Sequence, residues 1–90
     1  MPLETAHSPK GKFTAKASSQ VLSKGWGGRS ALFVCNPSSK EVWLALGETA
    51  AKEEGIWLSK EGGSTVIEGY TGPVSCITTE GEGSITYAEV

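Results

Sequence analysis

Few residues in this 90-residue chain could carry out chemistry. The sequence contains no Asp, and its only His and only Arg are His7 and Arg29. A Ser-His-Asp triad therefore lacks its acid. The closest carboxylate pairs, Glu53–Glu54 and Glu80–Glu82, fall in segments with turn composition that provide no environment for an acid and base pair. The sequence predicts no catalytic residue and a protein that is not an enzyme.

The residue types also argue against a metal or cofactor site. One His and two Cys cannot supply the ligands of a zinc site. The glycine-rich segment Gly25–Ser30 (GWGGRS) matches neither GxGxxG nor the P-loop pattern, because Ser30 occupies the last glycine position. No spacing of carboxylates resembles a calcium loop. We expect no bound metal and no cofactor.

The two cysteines, Cys35 and Cys76, lie in apolar segments beside Val34 and Ile77. This setting is typical of buried, unreactive thiols that pack as small hydrophobes. A cross-sheet disulfide of the immunoglobulin type is the alternative, since Trp43 lies between the two cysteines. The immunoglobulin pattern, however, has a Tyr two residues before its second Cys, and this chain has Val74 there. The sequence therefore favours two free thiols.

Turn-forming residues divide the chain into short segments rich in β-branched and aromatic residues, spaced by about ten residues, which is typical of all-β folds. The predicted strands are 12–22, 31–36, 41–47, 55–60, 64–69, 73–79 and 84–89. We predict one small antiparallel β-sandwich or barrel-like domain of about seven strands over residues 17–90. Residues 1–16 carry two Pro and several Lys and are predicted to form an extended basic N-terminal arm.

Several predicted strands are apolar on both faces. In 31–36, Leu32 and Val34 alternate with Phe33 and Cys35, and the segment 41–47 has the same character. A domain this small cannot cover both faces of such strands by itself. The pattern predicts contact with another subunit, either a further copy in a homo-oligomer such as a trimer or a different protein.

Charge is distributed unevenly along the chain. Residues 1–45 have a net charge of +4 and residues 46–90 a net charge of −6, which together give the overall −2. This asymmetry suits contact with a complementary protein surface. A nucleic-acid partner is not expected, because the acidic second half leaves no domain-wide positive surface. A membrane partner is not expected either, since no apolar run approaches the length of a membrane span.

The stretch from Ser18 to Val90, about four fifths of the chain, resembles small β proteins of tailed bacteriophages that are structural components of the virion. The residues that carry the resemblance are Arg29, Leu32–Asn36, Glu41–Gly47, Gly55–Leu58, Gly62–Ser64 and Tyr70–Ile77. Cys76 replaces the small residue, usually Ala, of that pattern. The resemblance implies a role without catalysis, either decorating or cementing the capsid or forming part of a head or tail fibre.

Together these observations predict a capsid decoration protein whose partners are the major capsid protein or other virion proteins, and which is located in the virion. The alternative is a fibre or receptor-binding module that holds a host glycan on an exposed Trp26 or Trp57. Trp26, between glycines, is interpreted as an anchor for a partner or as a lid on the core. The predicted interface residues are His7, Lys10, Lys12, Phe13, Lys16, Trp26 and Arg29.

Overall fold

The computed structural model describes residues 10–90, which form eight antiparallel strands in two four-stranded sheets. The strands are β1 (Lys10–Ala15), β2 (Gln20–Ser23), β3 (Ala31–Asn36), β4 (Val42–Leu46), β5 (Ile56–Leu58), β6 (Gly63–Glu68), β7 (Val74–Thr78) and β8 (Gly83–Glu89). Sheet A has the order β1-β8-β3-β6, and sheet B has the order β2-β7-β4-β5. The all-β, sandwich-like architecture is confirmed. The described part of the chain contains no helix with the length and apolar character needed to span a bilayer.

The segment 12–22, predicted as one strand, is two strands in different sheets. Phe13 and Ala15 pack on the core, and a straight strand would continue that face through Val21. Instead, Val21 is exposed and Leu22 is buried, so the alternation changes phase between the two halves. The bend at residues 16–19 carries the chain from sheet A to sheet B, and this is why there are eight strands and not seven.

The predicted N-terminal arm, residues 1–16, is described only from residue 10 onwards. That part belongs to the sandwich, because β1 pairs with β8 from Lys10↔Ala88 to Ala15↔Gly83. Residues 10–15 are thus extended, as predicted, but they form an edge strand of sheet A. Residues 1–9 lie outside the described part of the chain.

The core lies between the two sheets and consists mainly of aliphatic side chains from both. Its buried members are Ala15, Leu22, Leu32, Val34, Val42, Leu44, Leu58, Ile67, Val74, Cys76 and Ile85. A smaller cluster covers part of the outer face of sheet B, where Ala50 from the β4–β5 loop packs on Ala45 and Ile77. The Ala50 N–H donates to Ser19 Oγ at 2.9 Å, which fixes this loop over the sheet.

Asn36 is a buried polar side chain that joins the β3–β4 loop to the end of β5 at one end of the sandwich. Its amide nitrogen donates to the carbonyl oxygens of Lys40, Leu58 and Ser59, at 2.7, 3.0 and 3.2 Å. Its carbonyl oxygen accepts from the backbone N–H and the hydroxyl of Ser38. The amide thus satisfies buried groups that would otherwise lack partners.

We expect Asn36→Asp to destabilise the fold by about 3 kcal/mol, although Asp has nearly the same shape. The substitution replaces a donor with a carboxylate oxygen that faces three carbonyl oxygens in a buried place. Urea unfolding measures the effect, and Ser39→Asp, on the exposed turn nearby, is the matched control. Equal midpoints for the two variants would contradict the assigned role of Asn36.

Candidate interaction surface

The outer face of sheet A brings together an apolar patch and two lysines. Directly paired residues on neighbouring antiparallel strands lie on the same face of a sheet. The registers of β1, β8, β3 and β6 therefore define two adjacent rows, Lys10–Ala88–Phe33–Val66 and Lys12–Thr86–Cys35–Ser64. We call these residues the lysine-edged face.

Large apolar side chains on this face remain open to solvent. Phe33 is 43% exposed and Val66 is 46% exposed, and they lie opposite each other on paired strands. Between them and β8 lies a shallow groove of about 400 Å³, whose floor is made of small side chains, including those of Cys35, Thr86 and Ala88. Exposed apolar side chains grouped in this way form a candidate surface for binding another molecule.

Positive charge lies along one edge of the patch and negative charge at the other, where the exposed Glu68 pairs with Ala31 on the same face. Lys10 and Lys12 are exposed and point to the same side as Phe33, along the β1 edge. The ammonium groups of these lysines can extend beyond the apolar patch to contact the rim of a partner surface. The apolar side chains at the centre of such a contact supply most of its binding free energy. This arrangement can bind a surface with an apolar centre and carboxylates at one rim, and cationic side chains at a rim mainly raise the association rate.

Arg29, one of the predicted interface residues, is buried inside the sandwich. Its guanidinium donates to Ser23 Oγ at 2.8 Å, to Glu89 Oε2 at 3.0 Å, and to the carbonyl oxygens of Tyr70 and Gly72 at 2.7–3.2 Å. The Arg29–Glu89 ion pair ties the β2–β3 loop to the end of β8. Arg29 therefore holds the fold together and leaves no guanidinium donor free for a partner.

Gly25 allows this loop to come close to the neighbouring one. Its φ is +84°, and a Cβ at this position would collide with the backbone of Thr71 and Gly72. Only glycine permits both the backbone conformation and the contact. The contact places Tyr70 and Gly72 where their carbonyl oxygens accept from Arg29.

Trp26 lies at the surface of the same loop and is 44% exposed. Its ring covers Gly28, where a side chain would collide with it, so the indole folds back on its own loop. The Arg29 N–H donates to the Trp26 carbonyl oxygen at 3.1 Å and closes the turn. Trp26 is thus not a lid on the core, and its side chain remains partly exposed.

The remaining predicted residues are divided between surface and core. Phe13 is half-buried and packs on the core, Lys16 is exposed just after β1, and His7 lies outside the described residues. The structure brings together only Lys10 and Lys12 among the predicted interface residues. Phe33 and Val66 were missed as individual site residues, although the alternation in 31–36 already indicated that β3 is apolar on both faces.

The two cysteines are free and differ in burial. Cys76 is fully buried in the core, whereas Cys35 is half-buried on the lysine-edged face. The expectation of a buried thiol is confirmed for Cys76 and wrong for Cys35, because Cys35 alternates with the core residue Val34 along β3. Burial raises the pKa of the Cys76 thiol from 9.0 to about 12.

A thiol reagent should therefore modify only Cys35 in the folded protein and both cysteines in denaturant. Because the pKa of Cys76 is higher in the folded chain than in the unfolded chain, its contribution to stability is complete below about pH 9 and is lost as the pH rises towards 12. Counting the thiols that are modified with and without urea measures the difference in reactivity between Cys35 and Cys76. Rapid labelling of Cys76 under native conditions would contradict the assignment.

Among residues 10–90, no group of three or more His, Cys, Asp or Glu side chains is placed to hold a metal ion. The candidate site described above is built from apolar side chains and lysines. Comparisons of the chain with models of known protein families, with curated proteins and with solved structures found no match.

Proposed function

We propose that the protein is a non-enzymatic structural protein of a tailed-bacteriophage virion, a decoration protein that binds and stabilises the head shell. The observation that carries the proposal is the lysine-edged face, with Phe33 and Val66 exposed beside Lys10 and Lys12. A soluble monomer gains nothing from an open apolar sheet face, whereas a protein that binds a larger surface needs one. The resemblance of Ser18–Val90 to small virion proteins supports the same role.

Binding of this kind stabilises both partners by mass action. Any surface that binds the folded protein and not the unfolded chain shifts the folding equilibrium towards the folded state. This matters for a chain with a small core, in which Leu, Ile, Val and Phe make up only a fifth of the residues. Many copies, each burying a modest area across neighbouring capsid subunits, would together resist the internal pressure of the packaged genome.

The partner in this proposal is the major capsid protein, and the location is the assembled virion. The basic first half of the chain contributes Lys10 and Lys12 to the binding face, while most of the ten acidic residues lie in the second half. We therefore expect the capsid surface to present an apolar centre with carboxylates on the side that meets Lys10 and Lys12. A homo-oligomer, with a trimer as one state, is compatible with this role because capsids offer symmetric sites.

The experiment is cosedimentation of the full chain with empty shells of its phage. The proposal predicts saturable binding at a fixed ratio of protein to capsid subunit, with weaker binding at high salt because the lysines contribute. Light scattering on the protein alone measures its self-association, and light scattering on the mixture with shells measures shell binding. A protein that self-associates through this face and does not sediment with shells would overturn the proposal.

A further inference from the structure

The outer face of sheet B carries a second surface of different chemistry, formed by two tryptophans and two carboxylates. Trp43 and Trp57 are opposite each other on β4 and β5, with ring centroids 6.0 Å apart and planes inclined by 24°. Trp57 is 56% exposed. With Glu41, Glu53 and Thr79, the two rings line an open groove of about 470 Å³, which we call the tryptophan groove.

Both indole N–H groups already have partners. Trp57 Nε1 donates to Glu41 Oε1 at 2.5 Å, and Trp43 Nε1 donates to Thr79 Oγ1 at 3.3 Å. The rings are held by these bonds and stack on each other, and Trp43 also packs on Ala45, Ala50 and Ile77. Trp57, the more exposed ring, is therefore the one that offers a π face to a ligand. Because the π face of an indole carries negative potential, it attracts cations.

The two carboxylates add negative charge beside the negative potential of the indole faces. Glu41 keeps a second oxygen that can accept a hydrogen bond, and Glu53 lies at the rim in a turn that is closed by the Glu54 N–H and the Ala51 carbonyl oxygen. None of the described residues that line the groove is cationic. Apart from the Thr79 hydroxyl, the lining side chains therefore supply acceptors and negative potential. The matching ligand is a cation that carries donors only.

We propose that the tryptophan groove binds an arginine side chain presented by a partner protein. A guanidinium has five N–H donors and no acceptor, so it complements a groove of acceptors. Its planar shape stacks on an indole face while its edge donates to a carboxylate, and a lysine ammonium cannot do both. This inference goes beyond the shell-binding role and stands without it, because the groove lies on the sheet opposite the lysine-edged face.

The test is a titration followed by NMR, using a short end-blocked peptide with one arginine and no shells. The chain has three Trp, so two indole N–H signals report on the groove and the third, from Trp26, reports on the β2–β3 loop. We expect saturable shifts of the Trp57 and Trp43 signals and a constant Trp26 signal. The same peptide with citrulline, which has nearly the same shape but no charge, should bind at least about tenfold more weakly.

Two substitutions separate the contributions of stacking and charge. Trp57→Ala should weaken binding about tenfold, while Trp26→Ala, at an exposed tryptophan outside the groove, should leave it unchanged. Glu41→Gln keeps an acceptor for the Trp57 N–H and removes the charge, so binding should weaken about threefold and lose part of its salt dependence. Glu54→Gln, which lies outside the groove lining, is the matched control for charge.

Three results would overturn the inference. Equal binding of the arginine and citrulline peptides would show that the charge does not matter. Saturable shifts with methyl glucoside or methyl galactoside, and none with the arginine peptide, would identify a neutral sugar as the ligand. Absence of any saturable shift of the Trp57 signal, with the wild-type fold intact, would exclude binding of the arginine peptide at the groove.

Discussion

Replacing Arg29 with Met is expected to lower the free energy of unfolding by about 3–5 kcal/mol. The substitution keeps much of the side-chain volume but removes the guanidinium from a buried ion pair. Glu89 would then be left as a buried carboxylate with the Ser23 hydroxyl as its remaining partner. The carbonyl oxygens of Tyr70 and Gly72 would lose their donors as well.

Urea unfolding followed by tryptophan fluorescence measures this loss as a lower midpoint at unchanged slope. Lys24→Met removes an exposed cation from the same loop and serves as the matched control, with an expected change near zero. If Arg29→Met does not fold, Glu89→Gln tests the same ion pair with a smaller loss, because Gln still accepts a hydrogen bond. Full stability of both variants would contradict a structural role for the network.

Replacing Phe33 with Glu is expected to weaken binding to phage shells by about 100-fold, with folding little affected. Phe33 is the largest exposed apolar side chain of the lysine-edged face and lies on β3, an inner strand of sheet A. A carboxylate there would be desolvated against an apolar partner surface with no counter-charge from the capsid. In the free protein, the same carboxylate stays in water and costs little.

The matched control is Val21→Glu, which places the same charge at an exposed apolar position of sheet B. Both variants should unfold at nearly the wild-type midpoint, and only Phe33→Glu should fail to sediment with shells. Lys12→Gln should weaken binding less and reduce its dependence on salt. If Val21→Glu weakens binding as much as Phe33→Glu does, the binding surface is not the lysine-edged face.

The fold class could be predicted because its signals are local. Alternation along 31–36 placed Leu32 and Val34 on one side and Phe33 and Cys35 on the other, and the structure has this arrangement. The segment 12–22 was wrongly predicted as one strand because each half has the composition of a strand. Between Ala15 and Leu22 the alternation of buried and exposed residues shifts by only one residue. A one-residue shift moves every following side chain to the opposite face.

The role of Arg29 could not be predicted in the same way. Its carbonyl partners Tyr70 and Gly72 are 41 and 43 residues away in sequence, and Glu89 is 60 residues away. An arginine beside a glycine-rich loop is more often exposed, and only the assembled sandwich places these two distant segments around one guanidinium. The grouping of Lys10 with Phe33 likewise depends on the pairing of β1 and β3 with β8.

The most direct test of shell binding through the lysine-edged face uses the wild-type thiols. Cys35 lies within that face, and Cys76 is buried in the core, so Cys35 is the reactive thiol of the folded chain. The measurement is the rate at which a thiol reagent modifies Cys35 in the free protein and in the protein bound to shells. Binding through this face predicts strong protection of Cys35 in the bound state, whereas an unchanged rate on fully occupied shells would contradict it.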